Sequence, residues 1–346
     1  MQGDPTSIVH LGLAAVLTLA LSMLLVSSWI RLASRQGLVG KDMNKPGEVM
    51  VAEAGGTWAL MAAVFGLLVL EALYTYTRGA PYEPLGLYSL IALLLLSAML
   101  GFADDMLGWK KGLPRLYRVV FMIPIALPLS IAVYHRTGFH LPPVGYMDVG
   151  LLYPLVLVPV GVMGAANAFN MLAGYNGLEA GMGLLLMVFT GAYAAMRGVD
   201  LVFQASIVMA AALLGFLVYN WYPARVFPGN GFTYGLGAYY AGLVVLGGME
   251  AYGLFLFTLY FVKAILYFRG VRHGVWSQGI EDFGRPQPDG SLEAPLEGAY
   301  SLQHLAIRLS KRLFGRATER SVVLLILAVQ ALIGVIGLLL AYLGVF

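Results

Sequence analysis

The 346-residue chain contains no cysteine, which excludes a disulfide scaffold, a thiolate zinc site and a cysteine nucleophile. It is also poor in charge. Asp, Glu, Lys and Arg make up 11% of it, whereas a soluble domain carries about 25%. That scarcity excludes one or two water-soluble globules, because too little polar surface is available to cover them. A net charge of +3 is too small to imply a nucleic-acid partner. The five histidines lack the spacing of metal ligands. No Lys or Arg precedes the first apolar run, so it is read as a membrane span and not as a cleaved leader. What the chain has instead is apolar surface: 60% of its residues are hydrophobic and the mean hydropathy is +0.80.

A helix needs about 20 apolar residues to cross a bilayer. Ten runs meet or approach that length: 7–30, 55–74, 85–103, 119–135, 151–168, 180–196, 201–220, 233–249, 251–268 and 321–345. Inside lipid the backbone must satisfy its own hydrogen bonds, so runs this long read as helices. The ten-residue alternation of an outer-membrane barrel is missing. Ten spans place the connecting loops alternately on two sides. The loops 31–54, 104–118, 169–179, 221–232 and 269–320 hold 17 of the 21 Lys and Arg residues. The opposite set holds Arg78, Arg136 and Arg197, and Lys263 lies within a span. The positive-inside rule makes the basic set cytoplasmic and puts both termini outside. The expectation is one all-α polytopic membrane domain over 1–346, with its active face in the cytoplasm.

The longest loop, 269–320, divides in two. Pro288-Asp289-Gly290-Ser291 marks a hairpin or extended loop. Beyond it Leu302, Leu305, Leu309 and Leu313 recur at helical spacing beside Arg308, Lys311, Arg312 and Arg316. That pattern fits an amphipathic helix, either lying on an anionic membrane surface or packed on the protein.

Several polar groups stand out on the basic side. Asp104 and Asp105 end the third span, and Lys110 and Lys111 follow. Adjacent carboxylates repel and are costly near lipid, so a cation must compensate them. A divalent metal does so, and the lysines suit phosphate oxygens; a solvated charge cluster balanced by Arg115 and Arg118 is the alternative. Asn167 and Asn170 share a helix face, and Asn176-Gly177 and Glu179 follow within the same segment. These side chains suit metal, phosphate or sugar contacts, or hydrogen bonds between helices around a tight turn. Val226-Phe-Pro-Gly-Asn230-Gly-Phe-Thr233-Tyr234 reads as a turn capping the eighth span. Lys41-Asp42-Met-Asn44-Lys45-Pro46, with Glu53 and Gly55-Gly56, reads as a polar loop leading into the second span. Arg269, Arg272, His273 and Arg285 surround Glu281 and Asp282, which suits an anionic ligand or lipid headgroups.

Taken in order, these segments resemble the polyprenyl-phosphate N-acetylhexosamine-1-phosphate transferases over most of the chain. Asn167-Ala-Phe-Asn170-Met-Leu-Ala-Gly-Tyr-Asn176-Gly-Leu-Glu179 is similar to the signature of the GlcNAc-1-phosphate branch. The Asn230 turn and the 288–293 segment look like the archaeal form. The resemblance implies ten spans and transfer of a sugar 1-phosphate from a UDP-sugar to dolichyl or polyprenyl phosphate, with UMP released. It implies Mg²⁺, with Mn²⁺ as an alternative. Asp104 and Asp105 would serve the metal and lipid-phosphate site, and Lys111 or Lys110 the pyrophosphate. Asn170 would be a metal ligand, with Asn167 beside it, Asn176 near the uracil and Glu179 supporting the site. Asn44, Lys45 and Glu53 lie in a segment that looks like the family's first cytoplasmic motif and would belong to the binding site. Arg269, Arg272, His273 and Arg285 are weaker matches, because the loop has no triple-His motif. Many members carry an aspartate metal ligand where this chain has Asn230, so the site has one negative charge fewer. The expected setting is the plasma membrane of an archaeal-like prokaryote, with membrane lipid as a partner, no nucleic acid, and a homodimer left open. The competing readings are the same chemistry on another UDP-N-acetylhexosamine for cell-surface glycans, a secondary transporter or lipid carrier, and a silent lipid-phosphate binder.

Overall fold

The computed structural model describes residues 5–81, 83–107, 114–278 and 282–346. A long apolar helix, α1 (Pro5–Arg35), is joined to α2 (Gly56–Arg78) by a loop containing the hairpin β1 (Val39–Lys41) and β2 (Met50–Ala52). α3 (Pro84–Met106), α4 (Arg115–Ile125) and α5 (Leu127–Ala132) come next, and then a second hairpin, β3 (Gly138–Leu141) with β4 (Gly145–Asp148). A π-helical turn, Tyr153–Leu157, runs into α6 (Val158–Leu172). α7 (Leu178–Arg197), α8 (Asp200–Asn220), α9 (Asn230–Gly247), α10 (Glu250–Leu256) and α11 (Thr258–Arg272) follow. The third hairpin is β5 (Arg285–Pro286) with β6 (Leu292–Glu293), and α12 (Leu302–Phe314) and α13 (Glu319–Tyr342) complete the chain. Among the described residues the helical reading therefore acquires three short hairpins, all in connections. The one at 285–293 encloses the expected turn.

Among the described residues seven helices are long and apolar enough to cross a bilayer: α1, α2, α3, the π turn with α6, α7, α8 and α13. α10 and α11 pass the same test only as a pair bent by 59°, a broken span or a re-entrant loop. At the bend, Phe257 stacks on Tyr260 at 4.0 Å and on Tyr240 at 5.3 Å, so ring packing holds the angle. Two apolar runs differ from simple spans. Residues 119–132 form a shorter apolar helix, broken at Ala126. Pro124 and Pro128 each remove a backbone donor there and crowd the preceding turn. The run at 233–249 becomes α9, in which every residue except Asn230 and Leu246 is buried. Enclosed by protein, it needs no lipid-facing apolar surface and can carry glycines and tyrosines.

α9 packs against α3 and α6, with α2, α7 and α8 also in contact. Two glycines permit the close approach that builds the site. A Cβ on Gly101 of α3 would stand 2.3 Å from the Asn230 carbonyl oxygen. Gly229, at φ +78°, precedes α9, and a Cβ there would meet an Asp105 carboxylate oxygen at 2.6 Å. Only glycine suits that backbone conformation and spacing.

Candidate active site

α3 ends beside the first turn of α9, so Asp104 and Asp105 face a helix N-terminus. The first backbone N–H groups of a helix lack partners within it and favour an anion, by up to about 2 kcal/mol when partly buried. Asp105 uses both oxygens there: Oδ1 accepts from the Asn230 N–H at 2.9 Å and Oδ2 from the Gly231 N–H at 3.1 Å. Asp104 is 4% exposed, and its Oδ2 accepts from Nδ2 of Asn230 at 2.9 Å. Asn170 Nδ2 donates to Asn230 Oδ1 at 2.6 Å and to Thr233 Oγ1 at 3.0 Å. Three segments remote in sequence thus meet at one point. Asn230 bridges the aspartate pair to the asparagine of α6. Thr233 lies in the turn read from the sequence but has no role assigned there, and its signal is its place one helical turn beyond Asn230.

Glu53 stands close enough to Asp105 for their charges to repel. It is wedged against Gly40, where a Cβ would lie 1.9 Å from Glu53 Oε1. Burial raises its pKa above the ordinary carboxylate value. Asn167 donates back to the Met163 carbonyl of its own helix at 2.8 Å, one turn before Asn170.

A second cluster ties three inter-helix connections to the first residue of α13. Lys45 Nζ lies 3.1 Å from Asp42 Oδ2 and 3.3 Å from Asn176 Oδ1, pairs with Glu319, and stands 4.1 Å over the Tyr222 ring. The Asn176 N–H donates to Glu319 Oε1 at 2.7 Å, and Nδ2 donates to Asp42 Oδ2 at 3.2 Å. Its Oδ1 also accepts from the Ala224 N–H at 2.8 Å, so both ends of this amide are spent on protein. Asn44 Nδ2 donates to the Gly174 carbonyl at 2.6 Å, and the Gly174 N–H donates to Glu179 Oε1 at 2.8 Å. Glu319 was not named as a candidate from the sequence. An acid opening a helix there reads as a favourable dipole contact, which conceals its long-range partners.

The loop after α11 folds over the turn between α6 and α7. Lys263, 1% exposed, reaches Asp282 at 3.0 Å, Ser301 Oγ at 3.2 Å and Gln303 Oε1 at 3.0 Å. Gln303 Nε2 donates to the Leu172 carbonyl at the end of α6, at 2.9 Å. The Gly284 N–H donates to the Tyr175 hydroxyl at 3.1 Å, and burial pushes that phenol's pKa up. Arg269 and His273 meet at the Tyr300 ring, 5.3 Å and 5.7 Å from its centroid. Arg272 and Arg285 are exposed. Lys110, Lys111 and Glu281 lie outside the described residues.

This arrangement gathers carboxylates and side-chain amides at one end of the bundle, beside the loops richest in Lys and Arg. The sequence profile of glycosyl transferase family 4 matches residues 87–248, from α3 through α9. A protein of Saccharolobus solfataricus, provisionally named a UDP-N-acetylglucosamine–dolichyl-phosphate N-acetylglucosaminephosphotransferase, is 30% identical over 314 residues, covering 90% of each chain. The chain belongs to glycosyl transferase family 4. A second such relative, from Sulfolobus acidocaldarius and bearing the same provisional name, is 30% identical over 91% of each chain. The phospho-N-acetylmuramoyl-pentapeptide-transferase of Geobacillus kaustophilus is 29% identical over 70% of this chain and 76% of its own. The segment matched by the family profile contains Asp104, Asp105, Asn167, Asn170, Asn176, Glu179 and Asn230, so the meeting point at α9 lies wholly within it.

Proposed function

We infer that this family 4 member transfers a sugar 1-phosphate, GlcNAc-1-phosphate first among the options, from a UDP-sugar to dolichyl or another polyprenyl phosphate. The observation that carries this reading is the meeting of Asp104, Asp105, Asn170 and Asn230 at the N-terminus of α9. A lipid-phosphate oxygen attacks the β-phosphorus of the donor and forms a new P–O bond. The bond from that phosphorus to the bridging oxygen breaks, and its electron pair leaves with UMP. Both reactants are anions, so the protein's main task is to align them and offset their repulsion. A lipid phosphate is already ionised at pH 7, and Asp104 then serves to orient it.

The side chains at the site offer oxygen ligands, two carboxylates and two amide carbonyls, with Asn170 turning its amide over to ligate because its NH₂ faces Asn230 and Thr233 here. Among the described residues no group of three His, Cys, Asp or Glu forms a metal cage. Mg²⁺ does not require one, because it commonly takes one or two carboxylates together with substrate phosphates. The residues therefore fit Mg²⁺, with Mn²⁺ as a substitute, held by Asp105, Asn170 and Asn230 beside Asp104. Once bound, the ion supplies charge screening for the diphosphate. We assign Asn44, Lys45, Asn176 and Glu179 to the wall of the donor site, and Glu53 to the rim near Asp105. Lys110 and Lys111 are assigned to the pyrophosphate, and Arg269, Arg272, His273 and Arg285 to the sugar side. The positive-inside bias supports ten crossings, outside termini and a cytoplasmic active face. In an archaeal-like plasma membrane the reaction would open lipid-linked oligosaccharide assembly for protein N-glycosylation.

The test is purified protein in detergent with Mg²⁺, UDP-[³H]GlcNAc and dolichyl phosphate. Lipid-linked label together with stoichiometric UMP is expected. Absence of both across a panel of UDP-sugars refutes the transferase reading.

A further inference from the structure

α12 has two faces with different partners. Toward the protein Leu302, Gln303, His304, Ala306, Ile307 and Ser310 are buried. Gln303 binds the end of α6 through the Leu172 carbonyl at 2.9 Å. Near the other end, Ser310 Oγ lies 2.6 Å from Ser321 Oγ on α13. Two polar anchors seven residues, or about two turns, apart lay the helix across the end of the bundle that carries the site and set its rotation. The outer face then has to point away from the protein. On it Leu305, Leu309 and Leu313 recur every fourth residue, and Leu309 and Leu313 are 43% and 58% exposed. Arg312 falls on the same arc, and Arg316 follows the Gly315 cap; both are exposed.

A helix pinned this firmly does not need three solvent-facing leucines in a row, and such a stripe marks a contact surface. The occupant follows from the neighbours. α12 packs against α11 and α13, both of which belong to candidate membrane crossings. Near their ends on this side these helices expose Phe268, Val271 and Leu324. The leucine stripe thus lies where two lipid-facing helices leave the bilayer. The arginines interleaved with it match anionic headgroups, because their apolar stems can lie along lipid while the guanidinium stays at phosphate level.

We propose that the outer face of α12 is seated in the headgroup layer of the adjoining leaflet, with Leu305, Leu309 and Leu313 below the phosphates and Arg312 and Arg316 on anionic lipid. Through Gln303 and Leu172, this seat sets the height of the α6–α7 turn relative to the lipid phosphates. The seat itself does not depend on the reaction proposed above, and its test does not read activity.

The absence of cysteine makes the experiment clean. Leu309→Cys and Leu313→Cys are exposed positions that carry a nitroxide without disturbing the core. Glu297→Cys in the loop serves as the water reference and Leu332→Cys in α13 as the lipid reference. Each protein is placed as a single copy in nanodiscs of mixed zwitterionic and anionic phospholipid. Collision with oxygen is then compared with collision with a water-soluble nickel chelate. The ratio at 309 and 313 is expected to exceed that at 297 several-fold and to approach that at 332. A ratio equal to the one at 297 overturns the proposal. So does low collision with both reagents, which would mean that protein covers the stripe. In the R312Q/R316Q background, or in discs without anionic lipid, the ratio at 309 should fall. An unchanged value there overturns the assignment to anionic lipid.

Discussion

Removal of Glu319 tests the cluster that joins three connections of the bundle to the start of α13. Its carboxylate is 3% exposed, accepts the Asn176 N–H at 2.7 Å and pairs with Lys45. Deleting one partner of a buried pair costs about 3–5 kcal/mol when the other charge is left uncompensated. In Glu319→Ala the Lys45 ammonium keeps Asp42 at 3.1 Å and the Tyr222 ring at 4.1 Å. The loss then reduces mainly to a stranded Asn176 N–H, about 1–3 kcal/mol. Lys45→Met is more severe, because it leaves Asp42 and Glu319 buried together without their cation, and it should cost about 3–5 kcal/mol. The double variant should lose less than the sum of the two, with a coupling of about 1–3 kcal/mol. Denaturant unfolding in detergent, followed by tryptophan fluorescence, measures all three. The reasoning is refuted if Glu319→Ala is the costlier single change, or if the two changes add within about 0.5 kcal/mol.

Other consequences are equally direct. Asp105→Asn should nearly abolish UMP release, whereas Asn230→Asp should retain or raise it in Mg²⁺; equal losses would remove both residues from the metal site. Without divalent ions Asn230→Asp should lower the melting temperature, since a second carboxylate then faces Asp104 in place of a donor now 2.9 Å away. Gly101→Ala should cost about 1–3 kcal/mol through overpacking and should also lower activity, because α9 must back away from Asp105; an active, equally stable variant would argue against the close approach. For Glu53 the sign follows from burial. Its folded pKa lies above the ordinary 4.5, so the folded state holds the proton longer than the unfolded chain. Stability should therefore fall as pH rises from about 4.5 through the folded value. Glu53→Gln should flatten that decline and change little below it; parallel melting profiles for the two proteins would contradict this.

The parts of the site legible in the sequence are those whose logic is local. Asp104-Asp105 at the end of an apolar run, and Asn167 with Asn170 one turn apart, stand out because such groups near lipid require partners. Their partners were less legible. Lys263 left a trace as a charged residue within a span, yet its pairing with Asp282 and Gln303 depends on where a long loop returns. Glu319 meets Lys45 across 274 positions, a separation that no local pattern encodes. Gly101 resembles any glycine in a membrane helix until the Asn230 carbonyl is found 2.3 Å from its missing Cβ.

By itself the sequence determined the solvent, the helical character of the apolar runs and the set of loops in which polar chemistry collects. Each of these is a sum over neighbouring residues: transfer of a run into lipid, hydrogen bonding within a helix, counting of loop charges. The tertiary structure alone decided that α9 is enclosed and not lipid-facing, that its N-terminus holds Asp105, and that both ends of the Asn176 amide are spent on protein. Those outcomes depend on distances between segments far apart in the chain. Electrostatics and close packing change steeply over an ångström, and only the folded arrangement sets those distances.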